Sequence, residues 1–218
     1  MAAHPDDETL GCGATLALHA ERGDSIHALF MTDGVSSRGA NDEKEAEIRH
    51  TAALAALDTL GIKQFEFLRF ADNELDKYPI LKIIKNIENT ISQIKPDIIY
   101  THYPHDLNID HQIVARATLT AARPLPGVCV KKILFYEVVS STEWGIDDGN
   151  RFVPNYYVNV SESFDRKLEA IKFYEVENRP FPHPRSLEVL TALATKRGSE
   201  VGVNKAEGFR LFRELKCF

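Results

Sequence analysis

Strand-like and helix-like segments alternate along this chain with only short connectors between them, the order that a parallel sheet covered by helices requires. Thr9 to Arg22 has helical spacing with small residues on one face and a closing Gly23, and Ile26 to Met31 is an apolar run ended by Thr32-Asp33-Gly34. Asp42 to Leu60 reads as a long helix, rich in Glu at its start and Ala in its body, stopped by Gly61. Phe65 to Phe70 is strand-like and Ile80 to Ile94 helical; Lys95-Pro96 breaks that helix before a strand that opens at Asp97 to Tyr100. Ile109 to Ala122 follows as a helix and Ile133 to Val139 as another strand. The expected architecture is a Rossmann-like three-layer αβα sandwich with a mostly parallel sheet. From about Asn150 the pattern changes, with a strand at Asn155 to Val160 and helices at Arg166 to Glu177 and Leu187 to Arg197. We expect one domain over 1–218: a core of about 1–149 and a small C-terminal extension, about 150–218, that walls the cleft.

Composition narrows the partners. A 44% hydrophobic content supplies a sizeable core, while a net charge of −6 argues against nucleic acid or an anionic membrane surface, both of which attract clustered Lys and Arg. The longest apolar runs, such as Ile98-Ile99-Tyr100, fall far short of a membrane span, and the N-terminus carries no signal-peptide pattern. Cys12, Cys129 and Cys217 are odd in number and widely separated, so they read as reduced thiols of a cytoplasmic protein, Cys12 serving for packing. The expectation is a cytoplasmic protein without nucleic-acid partners or membrane insertion; homo-oligomerisation stays open.

Two polar clusters carry the chemistry. The first is His4-Pro5-Asp6-Asp7-Glu8, in which His4 and Asp7 are spaced i, i+3 and converge from a turn entering a helix, while Asp6 points elsewhere. The second holds His102, His105, Asp106, Asn108, Asp110 and His111, where three of the chain's eight histidines fall within ten residues. Taken singly, Asp-Asp-Glu reads as acid placed at a helix N-terminus, and the second cluster as a polar loop. Neither closes a metal site alone. Together they provide three ligands, a spare carboxylate and polar helpers, the parts of a catalytic metal site, and both sit at carboxyl ends of strands, where open α/β sheets bind ligands.

Ala3-His-Pro-Asp-Asp-Glu8 followed by Leu10-Gly-Cys-Gly13, then Met31-Thr-Asp-Gly34, then Asp106-Leu-Asn-Ile-Asp-His111, resembles the PIG-L/LmbE-like family of zinc-dependent N-acetylglucosamine deacetylases. The resemblance covers most of the chain and implies His4, Asp7 and His111 as Zn²⁺ ligands, with Asp6 as the general base. That division is chemically sound, because a carboxylate bonded to zinc is a poor base. Asp110 would orient an imidazole or a ligand. Many relatives carry a histidine where this chain has Asn108, which can donate a hydrogen bond to an oxyanion but cannot act as an acid; His102 or His105 would then deliver the proton. Candidate substrate contacts are Arg49, Asp72, His105, Trp144 and Arg185, with Arg38, Asn73, Glu143 and His183 near them in the pattern. Arg49 has Ala52 three residues later where the family has glutamate. Trp144 would stack on a sugar face and Arg185 would suit an anionic group.

A further departure lies at the start: relatives place five to seven apolar residues in a first strand before the histidine, and here only Met1-Ala2-Ala3 precede His4, so fraying is expected there unless the metal or neighbouring strands hold the segment. The reaction implied is removal of the N-acetyl group from an N-acetylated amino sugar or its conjugate. A glycoside hydrolase using Asp6 and Asp7 would leave His4 and His111 without a role, and adjacent residues seldom reach the carboxyl spacing it needs. The alternative from another class is a non-catalytic Rossmann-type protein that binds a sugar or nucleotide, for which Leu10-Gly-Cys-Gly13 is a weak signal because it lacks the third glycine of the dinucleotide fingerprint.

Overall fold

A computed structural model of the protein describes residues 1–34, 43–145, 149–175, 177 and 179–216. Arg38 and Asp42, the first residue of one expected helix, lie outside the described residues. The elements run α1 (Asp7–Glu21), β1 (His27–Thr32), α2 (Glu43–Leu60), β2 (Gln64–Phe70), α3 (Ile80–Ile94), β3 (Ile98–His102), α4 (Ile109–Ala121), β4 (Lys132–Tyr136), β5 (Tyr156–Asn159), α5 (Phe164–Lys172), α6 (Leu187–Ser199) and β6 (Ala206–Glu214). None of the described helices is long and apolar enough to cross a membrane.

Alternation along the strands builds the three layers. Successive strand side chains face opposite ways, so β1 sends Ala28 and Phe30 to one side and Leu29 and Met31 to the other; β4 does the same with Leu134 and Tyr136 against Ile133 and Phe135. The first set packs on α1, α2, α5 and α6 through residues such as Leu16, Leu57, Ile171 and Leu190. The second packs on α3 and α4 through Ile83, Ile87, Ile91 and Val114. The core therefore lies on both faces of the strands, as an αβα sandwich demands.

β1 pairs with β2 in parallel, and β3 with β4 in parallel. β6, which sequence reading did not anticipate, runs antiparallel between β4 and β5, so the parallel arrangement holds as far as β4 and the C-terminal part adds antiparallel strands. Between β1 and β3 lies the short segment Met1–Ala3. Ala2 N donates to Leu29 O at 2.8 Å and accepts at its own carbonyl from Met31 N at 3.0 Å; on the other edge the Met1 ammonium donates to Tyr100 O at 3.0 Å and Ala3 N to the His102 ring at 2.8 Å. The neighbouring strands thus hold the segment against fraying: Ala2 and Ala3 are buried and bonded to both sides, which fixes where His4 emerges.

α1 is not one regular helix. Its backbone breaks at Cys12 (φ −148°, ψ 19°), and a buried ion pair from the C-terminal part enters the break: Lys167 Nζ donates to Leu10 O at 2.7 Å while the Glu207 carboxylate accepts from Ala14 N at 3.2 Å and Thr15 N at 2.7 Å. Gly11, just before the break, lies so close to the Tyr136 ring that a Cβ would collide with it.

Candidate active site

His4 leaves the end of Met1–Ala3, Asp6 and Asp7 open α1, and His111 sits in the first turn of α4, so three chain segments meet at one edge of the strands. His4 Nδ1 lies 3.2 Å from Asp7 Oδ2 and 3.3 Å from His111 Nε2, and His111 Nε2 lies 3.3 Å from Asp7 Oδ1. For ligand bonds of ~2.0–2.2 Å in a tetrahedron, neighbouring donor atoms stand about 3.3–3.6 Å apart. The three side chains already have that spacing. Asp7 Oδ1 is buried and makes no well-formed hydrogen bond among the described residues, its near polar neighbour being the His111 ring at 3.3 Å, an arrangement that suits a cation held between them. The donor set His–Asp–His therefore fits a divalent metal ion.

The far side of each imidazole is held by a carboxylate. His4 Nε2 is 3.2 Å from Asp110 Oδ2 and 3.1 Å from Asp72 Oδ1, and Asp110 is itself fixed by accepting from Leu75 N at 3.0 Å. His111 Nδ1 is 3.1 Å from Asp106 Oδ1, and Asp106 accepts from the Ser141 and Thr142 hydroxyls. Such partners fix ring orientation and raise ligand basicity. Burial alone would lower both histidines, but hydrogen bonds and charges from Asp110 and Asp7 raise His4 to about 10, and Asp7 and Asp106 raise His111 to about 9. His102 behaves differently. It is fully buried, its ring stacks on His111 at 3.9 Å, and its Nε2 takes the Ala3 N–H; burial pushes it well below the ordinary histidine range, so it is a neutral wall residue.

Asp6 stands apart from this set. Its backbone has φ 129°, a left-handed value that a non-glycine residue adopts only when its surroundings impose it. Its Oδ2 is 3.1 Å from Arg49 Nη2 and 3.0 Å from Arg185 Nη1, and Glu177 bridges the same two arginines at 2.6 and 2.8 Å. Burial raises the Asp6 carboxyl above its ordinary value, and the two guanidinium groups oppose that rise. Asn108 is the N-cap of α4: its Oδ1 accepts from Asp110 N at 2.8 Å and its Nδ2 donates to Asn73 Oδ1 at 2.9 Å.

A cavity of about 280 Å³ opens onto the cluster, lined among others by Asp72, Asn73, Leu107, Asn108, Glu177 and Arg185. The structure thus gathers His4, Asp6, Asp7, Arg49, Asp72, Asn108, Asp110, His111 and Arg185 in one place. His105 and Trp144 are exposed and lie outside the residues lining this cavity; Glu143 accepts from Ser140 N and Ser141 N, fixing a turn, and His183 Nδ1 accepts from Arg185 N. Sequence reading gave no role to Asp106 and did not single out Glu177 or Ser141. Asp106 was visible within the second cluster, whereas nothing local marks Glu177 or Ser141.

Fold and site together define a class: αβα proteins that carry a buried His–Asp–His set and a separate carboxylate over a polar cavity. Residues 1–122 match the PIG-L family, GlcNAc-PI de-N-acetylase, and the chain belongs to that family. It is 35% identical over 178 residues to a protein of Escherichia coli named uncharacterized deacetylase YaiS, covering 79% of this chain and 86% of that one. A probable N-acetyl-α-D-glucosaminyl L-malate deacetylase 2 of Bacillus cereus is 29% identical over 175 residues, 77% of each chain. The solved N,N'-diacetylchitobiose deacetylase of Pyrococcus horikoshii superposes with a TM-score of 0.77 over 97% of this chain and 82% of that one at 23% identity, a likeness of fold.

Proposed function

We propose that the protein is a zinc-dependent hydrolase that removes the N-acetyl group from an N-acetylated amino sugar or its conjugate. The observation that carries this reading is the tetrahedral spacing of His4 Nδ1, the Asp7 carboxylate and His111 Nε2, with Asp7 Oδ1 buried and without a well-formed hydrogen bond among the described residues. The named deacetylases among its relatives support the same chemistry. Zinc held by His4, Asp7 and His111 would supply Lewis acidity to an amide carbonyl and to water. Asp6, outside the ligand set yet at the cavity wall, would take a proton from the attacking water as the water oxygen bonds to the acetyl carbon. The same proton then goes to the departing nitrogen as the C–N bond breaks, leaving acetate and a free amino sugar. Asp110 and Asp106 keep the two imidazoles turned towards the ion, and Asp72 and Asn73 face the cavity where sugar hydroxyls bind.

Purified protein incubated with N-acetylglucosamine and its conjugates is expected to release acetate, to stop after dialysis against a chelator, and to recover with added Zn²⁺. Tight sugar binding without acetate release from the zinc-loaded protein would favour the non-catalytic sugar-binding reading instead.

Asn108 serves in this scheme as the second donor to the oxyanion, through its amide nitrogen. Asn108→Ala is expected to lower kcat by about one to three powers of ten with little change in KM, since the donor acts in the transition state. Losing the α4 cap adds roughly 1 kcal/mol of destabilisation. A wild-type kcat with only the lower melting point would reduce Asn108 to its capping role.

A further inference from the structure

We propose that Arg185 is a positioning residue: it reaches in from the C-terminal part of the chain to hold the Asp6 carboxylate in its working orientation, with Glu177 locking it to Arg49. This rests on Asp6 as the general base. Four charged side chains from three separate stretches form a closed ring, in which Asp6 Oδ2 takes both arginines and Glu177 takes both arginines. Two nitrogens of Arg185 are engaged by the protein: Nη1 is shared between Asp6 and Glu177, and Nε donates to Ser140 Oγ at 2.8 Å. Arg49 is likewise committed, with Nη2 also donating to Pro5 O at 2.9 Å beside the residue it grips. Both guanidinium groups line the cavity, yet their charge-assisted bonds run to Asp6 and Glu177.

The grip has a mechanical reason. Asp6 is 1% exposed and its backbone stands at φ 129°, a conformation of higher energy that persists only while neighbours enforce it. Backbone bonds alone do not settle the side chain, and both arginines contact Oδ2 and neither contacts Oδ1. Oδ1 is thereby the oxygen left for a water proton. The arrangement also explains why the last third of the chain belongs to the site although the metal-ligand set lies within residues 4–111.

The test compares Arg185→Gln and Arg185→Lys with wild type, all zinc-loaded, by crystal structure and by kcat and KM for acetate release. In Arg185→Gln the Asp6 carboxylate is expected to leave its position, and kcat to fall about ten- to hundredfold at near-constant KM, in the range for losing a residue that orients a site group. Arg185→Lys is expected to fall between, because an ammonium cannot serve Asp6, Glu177 and Ser140 in one plane. An Asp6 carboxylate that stays in place in Arg185→Gln overturns the proposal, as does a raised KM with kcat unchanged, the mark of a substrate contact. If Arg185→Gln does not fold, Glu177→Gln opens the same ring more gently and is read the same way. The crystallographic arm stands even where the wild type releases no acetate, so failure of the deacetylase reading and failure of this one remain distinct.

Discussion

Asp6→Asn is expected to keep its bound zinc and lose most of its turnover, by about 10²–10⁴ in kcat, the usual contribution of a general base. The substitution is nearly isosteric, and an asparagine oxygen can still accept from Arg49 and Arg185, so the ring around the residue should hold its shape. What is lost is the capacity to take a proton. The metal should stay, because Asp6 belongs to neither of the two sets of atoms spaced for a cation, His4, Asp7 and His111 or His4, Asp72 and Asp110. Metal content by elemental analysis and initial rates of acetate release read the two effects separately. Loss of zinc in Asp6→Asn would mean that a ligand has been mistaken for the base. His111→Ala supplies the contrast, since it removes a donor from the set and should empty the site.

The adjacency of Asp6 and Asp7 shows what a sequence can reveal about such a site. The i, i+3 spacing of His4 and Asp7 at a helix start is local and appears in the structure as the sequence placed it, within 3.2 Å. Asn108, read from the sequence as an oxyanion donor, is in the structure the N-cap of α4, a role its place ahead of Ile109-Asp110-His111 also allowed. Pairing the two clusters needed only the strand-to-helix order. The ring around Asp6 was not legible, because Arg185 is 179 positions away and is brought in by a turn whose sequence carries no charge pattern of its own. Arg49 and Arg185 read as substrate contacts for the same reason: a basic residue announces a charge, not the identity of its partner.

The fold was legible where side-chain periodicity decides it. α3 spans Ile80–Ile94 as its apolar stripe and the following Lys95-Pro96 predict. α5 stops at Lys172 instead of continuing to Glu177; beyond it Tyr174 donates to Glu8 at 2.9 Å and Glu177 pairs with both arginines. β6 escaped notice because Ala206-Glu-Gly-Phe-Arg-Leu-Phe-Arg-Glu214 mixes charges and glycine with its apolar residues. Its place between two strands is set by tertiary pairing, and the buried Glu207 is there to meet α1.

That meeting yields the largest expected effect on stability. Glu207→Ala should destabilise the fold by about 3–5 kcal/mol, the range for stripping one partner from a buried ion pair. Lys167 Nζ, 2.6 Å from Glu207 with both side chains nearly buried, would keep its charge without a counter-ion, and the Ala14 and Thr15 amides would lose their acceptor in the broken helix. The two ends created by the break at Cys12 explain why the pair has this polarity. A carbonyl without its helical partner, Leu10 O, takes the ammonium, and amides opening the second half of α1 take the carboxylate. Lys167→Met combined with Glu207→Gln is expected to recover part of the loss, because no charge is then buried and the glutamine oxygen still serves one amide. Urea midpoints at constant m-value measure both variants. A single-variant loss below about 1 kcal/mol, the level of a solvated surface pair, would show that water reaches the break and that the pair does not organise it. The first half of α1 carries Asp7, so Glu207→Ala should also weaken zinc affinity, and the double variant should recover part of the affinity along with part of the stability.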